Sequence, residues 1–194
     1  VEKYREAITK YESMGDIGRV LELLKLICEK CISSNHLILA EEFAEKLKVL
    51  AKKENSLFYQ GEGDYLSGYL LLKTGETHVL EEALNKIENA AIIFGNVEDY
   101  VGAAQCFHKI GTIYQSRLNL LENSCLFYRE AIENYNMALI KNHPLRKSLW
   151  TKTDVLIQKI TDLKNILEEL LPKLEDRDIQ NKIKDDLEAI NFNF

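Results

Sequence analysis

The chain has 194 residues, 46% hydrophobic and 29% charged, with a formal net charge of -6. That balance supports a folded core and excludes extended disorder, and the acidic excess argues against a nucleic-acid binder, which carries a basic one. No stretch approaches the ~18–20 consecutive apolar residues that cross a bilayer, so no integral membrane segment is expected. The opening Val1-Glu2-Lys3-Tyr4 has neither signal-peptide character nor an initiator methionine, as in a fragment or a processed chain.

Taken in order, the elements are helices divided by short polar breaks. A first helix with Ala7, Tyr11 and Met14 ends at Gly15-Asp16. A second, with Leu24, Ile27, Cys28 and Cys31, ends at Ser33-Ser34-Asn35. A third carries Leu39, Phe43, Leu47 and Leu50 at three- and four-residue steps and ends at Glu54-Asn55-Ser56. A fourth around Gly68 stops at Thr74-Gly75, and a fifth with Ala83, Ile87 and Ala90 stops at Gly95-Asn96. A sixth with Phe107, Ile110, Gly111 and Tyr114 runs to Asn119, and a seventh with Ala131, Tyr135 and Ala138 runs to Asn142-His143-Pro144. Gly and Asn suit left-handed helix exits, and Asp, Asn, Ser and Thr suit helix starts. Asn96 with Asp99, and Asn119 with Glu122, have the spacing of loose capping boxes. Beyond these, Leu149, Leu156, Leu163 and Leu170 interleave with Ile160, Leu167 and Leu174 to form a narrow seam that Pro172 should end or kink. A last helix carries Ile179, Ile183, Leu187 and Ile190 on one face and charge on the other, as a solenoid cap requires.

The recurring helices fit the tetratricopeptide pattern, in which a small residue on a first helix lets a second helix approach closely. Phe107, Ile110, Gly111 and Tyr114 match its first half, and Ala131, Tyr135 and Ala138 its second, with a gap eight residues longer than the standard twelve. Leu24, Ile27, Cys28 and Cys31 followed by Ala40, Ala44 and Leu47 keep the twelve-residue gap. Ala83, Ile87 and Ala90 follow Gly68, and Ala7, Tyr11 and Met14 read as the second helix of an incomplete opening repeat. The anchors Cys28, Gly68 and Gly111 are 40 and 43 residues apart, longer than the usual period of ~34. With Gly95-Asn96, Tyr100, Ala103-Ala104, Ile110-Gly111, Tyr114, Ala131-Ile132 and Tyr135, the segment from Ile92 to Leu139 resembles the soluble NSF attachment protein family. That resemblance implies a solenoid of long helical hairpins working as an adaptor between proteins.

Chemistry-bearing residues have simpler readings. Cys28 and Cys31 could supply two zinc ligands or a redox pair, but no second pair accompanies them and both fall on packing positions of the template. Cys106 and Cys125 are read the same way, and four cysteines fit a reducing, cytoplasmic setting better than a disulfide framework. His36, His78 and His143 sit at helix boundaries. Gly61, Gly63 and Gly68 follow no strand and precede no phosphate-loop lysine. Lys141, Arg146, Lys147 and Lys152 around Trp150 are read as a solvated helix start, with an acidic peptide or anionic surface as the alternative ligand.

The expected fold is all-α, a right-handed superhelical solenoid of antiparallel hairpins with about nine helices. Residues 1–143 form the repeats, and 144–194 a long helix and a capping helix of the same domain. No catalytic residue, cofactor or metal is expected. The expected function is non-enzymatic binding of an extended or helical protein segment on the concave face of the first helices. Monomers are favoured; the alternative is a structural subunit that self-associates through the seam from Leu149 to Leu174. Template positions put Lys25, Glu29, Ile32 and Ser33 on the concave face around Cys28, Tyr65, Tyr69, Leu72 and Lys73 around Gly68, and His108, Thr112, Gln115 and Ser116 around Gly111.

Overall fold

The computed structural model describes residues 2–141 and 152–190. Among these residues the chain is helical, with no strand. The helices are α1 (Glu2–Ser13), α2 (Ile17–Ser33), α3 (Leu37–Lys53), α4 (Leu57–Thr74), α5 (Leu80–Asn96), α6 (Tyr100–Ile113), α7 (Leu121–Ile140), α8 (Thr153–Leu170) and α9 (Arg177–Ala189). A π-helical turn, Tyr114–Leu118, extends α6, and a 3-10 turn, Leu171–Lys173, follows α8. The chain divides into two compact units, Val1–Ile93 and Phe94–Phe194, so the tail helices belong with α6 and α7.

The turns explain why successive helices fold back. Gly15, Asn35, Asn55 and Gly75 all have positive φ and fall every 20 residues, and Glu98 and Asn119 take the same conformation further on. In four turns the amide after the left-handed residue reaches back five residues: Asp16 to the Tyr11 carbonyl (3.0 Å), His36 to Cys31 (2.8 Å), Ser56 to Ala51 (2.9 Å) and Asp99 to Phe94 (2.8 Å). This closure satisfies the last free carbonyls and leaves almost no loop, which forces an antiparallel neighbour.

Both capping boxes are corrected. The left-handed residue after α5 is Glu98, and the cap of α6 is Asp99, whose fully buried carboxylate accepts from the Gly102 amide at 3.2 Å. Asn119 closes the π turn with φ of 52°, and Leu120, which makes no side-chain cap, starts α7. In each case a polar side chain three residues before a carboxylate matched the spacing, but Asn96 is the last residue of α5 and Asn119 the left-handed exit of the π turn.

Each hairpin repeats one contact. The Cys28 thiol donates to the Ala40 carbonyl at 3.3 Å. A Cβ on Gly68 would stand 2.9 Å from the Ala83 carbonyl and 2.7 Å from Ile87 Cγ1. A Cβ on Gly111 would stand 3.3 Å from the Ser124 carbonyl and 2.7 Å from the Tyr128 ring. A small residue of the first helix thus abuts a carbonyl of the second three times over.

The third hairpin corrects the expected register. Gly111 lies against the helix carrying Ala131, Tyr135 and Ala138, but it meets Ser124 and Tyr128 near that helix's start, and the Ser124 hydroxyl donates to the Gly111 carbonyl at 2.9 Å. Ser124, Tyr128 and Ala131 therefore fill the template positions, with serine in place of alanine. The separation from Gly111 to Ser124 is 13 residues, one more than from Cys28 to Ala40, and the π turn lies between them. A single inserted residue is what such a turn absorbs.

Helix α4 is packed on three sides. Gly63 lets it close on α3, where a Cβ would overlap Lys48 Cγ, and Gly68 lets it close on α5. Lys25 of α2 reaches Glu62 on a further side at 3.2 Å. These approaches account for Gly63 and Gly68; Gly61 is buried too.

In the second unit the seam is core. Leu156, Ile160, Leu163 and Leu167 are 0–1% exposed and pack with Tyr128, Ala131, Tyr135 and Ala138 of α7. Pro172 ends α8 as expected and sits in the 3-10 turn. Helix α9 buries Ile183 and presents Lys182, Lys184, Asp185 and Glu188 to solvent. Its other tie to α7 is Arg129, which the sequence had not singled out: its guanidinium donates to Asp186 at 2.7 Å and also pairs with Glu130 and Glu133. Leu149, His143, Pro144, Arg146, Lys147 and Trp150 lie outside the described residues.

Candidate functional site

Of the residues expected on the concave face, six in the first unit stay outside the buried core: Lys25, Glu29 and Ser33 on α2, and Tyr65, Tyr69 and Lys73 on α4. Glu62 is only 3% exposed, and Lys25 reaches it from a partly covered position while its ammonium lies 6.0 Å from the centre of the Phe58 ring. This pair fixes α2 beside α4, because a buried carboxylate needs its counter-charge held in place. One and two turns further, Tyr65 and Tyr69 stack at 6.3 Å with their planes 22° apart, and the Lys73 ammonium stands 5.5 Å over the Tyr69 ring. Both tyrosines are half-buried and pack at the margin of the α2–α4 core, while Glu29 and Lys73 are exposed.

Leu26 was missed. It is 46% exposed and shares a face of α2 with Glu22 and Glu29, both exposed. The signal was an apolar residue away from the buried stripe of Val20, Leu24, Ile27 and Cys31. Ile32 and Leu72, placed on the face by the template, are core residues at 3% and 9% exposure.

Three of the four residues expected around Gly111 are occupied internally. The Tyr128 hydroxyl donates to Gln115 Oε1 at 2.7 Å and lies 3.5 Å from the Thr112 hydroxyl. The His108 ring meets the Tyr128 ring edge-on at 5.8 Å, and α8 brings Lys159 and Asp162 within electrostatic reach of it. Tyr128 holds the template place that Ala44 takes in the first hairpin, and its larger side chain reaches these positions. Ser116 remains exposed, its hydroxyl on the Thr112 carbonyl at 2.6 Å.

Burial pushes the His108 imidazole down to about 4, with Lys159 and Lys109 acting in the same direction and Asp162 opposing them. The folded protein thus holds His108 neutral where the unfolded chain, titrating near 6.5, takes up a proton. The stability this neutral packing contributes is fully present above pH ~6.5 and is lost as pH falls toward 4, at no more than about 1.4 kcal/mol per pH unit. Urea midpoints measured across that window should therefore fall less steeply in His108→Gln than in the parent chain. Equal slopes would show that His108 is not held neutral.

The thiols are packing groups. All four cysteines are free and buried. Burial drives Cys28 up to about 12 and Cys125 up to about 11, far from the thiolate character that metal binding or redox chemistry needs. Among the described residues no group of three or more His, Cys, Asp or Glu side chains is placed to hold a metal ion, and no helix is long and apolar enough to cross a membrane.

Compared with known proteins, the chain matches no family model, no curated protein and no solved structure.

Proposed function

We propose that the chain is a non-enzymatic protein-binding module of tetratricopeptide type, with the long repeats of the soluble NSF attachment proteins, acting as a cytoplasmic adaptor. It takes a segment of a partner protein on the face of α2 and α4 carrying Leu26, Glu29, Tyr65, Tyr69 and Lys73. The observation that carries this reading is the Tyr65–Tyr69 stack, backed by Lys73. Stacked tyrosines present broad apolar area with little rotamer entropy left to lose, and their hydroxyls can bond a peptide backbone; such residues dominate binding energy at interfaces. Leu26 adds an apolar contact between two carboxylates. The hairpin repeat supports the family reading: the small-residue contact occurs three times, at Cys28, Gly68 and Gly111.

Self-association through the C-terminal seam is disfavoured, because the described seam leucines already pack on α7.

The test places a photo-cross-linking amino acid at position 69 and, as a control, at Ile38, which is 85% exposed on α3. A partner segment bound at this face gives an adduct from position 69 and none from position 38. The same partner should lose at least tenfold in affinity for Tyr65→Ala/Tyr69→Ala, with helicity unchanged by circular dichroism. Full affinity in that folded double variant removes the face.

A further inference from the structure

The most loosely held element is α1. It has no buried residue, and it rests on α2 through the partly covered Ile8 and Tyr11. Between α1 and α3 an open groove of about 730 Å³ runs over Leu24 and Phe43, with Ile8, Val49 and Leu50 along it. The crease between α3 and α5 in the same unit holds only about 170 Å³, so the space beside α1 is not the ordinary gap between second helices of a solenoid. Across the groove, one described ion pair ties α1 to α3: Arg5 to Glu42 at 3.1 Å, with both side chains more than a third exposed. An exposed pair of this kind adds little stability and is screened by salt.

We infer that α1 is a hinged strap that undocks from α2 and α3 by local opening while the helices beneath it stay folded. The hinge is Gly15, which has φ of 71° and nothing within 4 Å of where a Cβ would stand; swinging there breaks the turn's bond from the Asp16 amide to the Tyr11 carbonyl (3.0 Å). Undocking leaves few groups stranded. Asp16 caps α2 through the Arg19 amide at 3.2 Å, so α2 keeps its start without α1. Glu42 retains Lys46 at 2.7 Å, and the Lys46 ammonium stays 5.8 Å over the Phe43 ring, the same distance as Arg5. Both partners that α1 supplies through Arg5 are thus duplicated on α3 itself. What opens is the apolar floor at Leu24 and Phe43, which are 3% and 1% exposed when the strap is down. Local stability tracks buried apolar contact, and by that measure α1 stands at the low end of the unit and α2 and α3 at the high end.

Hydrogen–deuterium exchange on the intact chain tests this. Amides of α1 should exchange at least a hundredfold faster than those of α2 and α3. Raising salt, or Arg5→Ala, should speed α1 several-fold further and leave α2 and α3 unchanged. Leu24→Cys gives a second readout: a thiol reagent should modify Cys at position 24 at least tenfold faster than Cys28 on the same helix, and faster still with Arg5→Ala. Protection of α1 equal to that of α2 would overturn the strap. So would modification of positions 24 and 28 at one common rate, because α1 would then open only with the whole unit.

Discussion

Gly68→Ala and Gly111→Ala should each destabilise the fold by about 1–3 kcal/mol, although alanine is the better helix former. At Gly68 the new methyl meets the Ala83 carbonyl at 2.9 Å and Ile87 at 2.7 Å, and a backbone group in a packed helix cannot step aside. At Gly111 it meets the ring of Tyr128, which is 1% exposed and tethered at its hydroxyl by Gln115. Two other glycines serve as internal references. Gly95 in α5 has nothing within 4 Å of an added Cβ, so Gly95→Ala should stabilise by about 0.5–1 kcal/mol through the lower chain entropy of the unfolded state. Gly63 would meet the flexible Lys48 side chain, which can turn away, so its substitution should fall between these cases. Urea titration of the four variants gives the order directly. If Gly68→Ala and Gly111→Ala behave like Gly95→Ala, the close-approach register of the hairpins is wrong.

A larger loss is expected from Leu163→Glu. Leu163 is fully buried between α7 and α8. Losing the leucine there costs about 2–5 kcal/mol, and burying an unpaired carboxylate adds to it. Together these rival the ~5–15 kcal/mol that holds a typical domain folded. The variant should lose helicity and bind hydrophobic dye, with Leu163→Ala intermediate. If the seam instead joined two copies, the charge would give a folded monomer from a dimer. Circular dichroism with sedimentation velocity separates these outcomes, since only the second leaves helicity intact while halving the mass.

The seam was legible as a sequence pattern because apolar residues seven apart must share a helix face. Its partner was not, because periodicity describes one helix and packing involves two. The same limit shaped the candidate site. Template spacing placed Tyr65, Tyr69 and Lys73 on one side of α4, and the ring stack and the cation over it are there. Spacing also placed His108, Thr112 and Gln115 on an open face, and the structure gives them to Tyr128. Serine at 124 concealed the start of the second-helix pattern, and Ala131, Tyr135 and Ala138, two turns further along, matched it instead.

By itself, the sequence determined that the described elements are helices, the left-handed turns at Gly15, Asn35, Asn55 and Gly75, and much of the apolar stripe of the helices. These follow from local backbone preference and from helical period, both written in neighbouring residues. Only the tertiary structure decided that a π turn shifts the third hairpin by one residue. It likewise decided that Gly63 and Gly68 serve two different neighbours of α4, that Arg129 ties α7 to α9, and that α1 rests on its unit without burying a side chain. Each depends on how far one helix slides along another before its side chains interlock, and no spacing within a single helix encodes that distance.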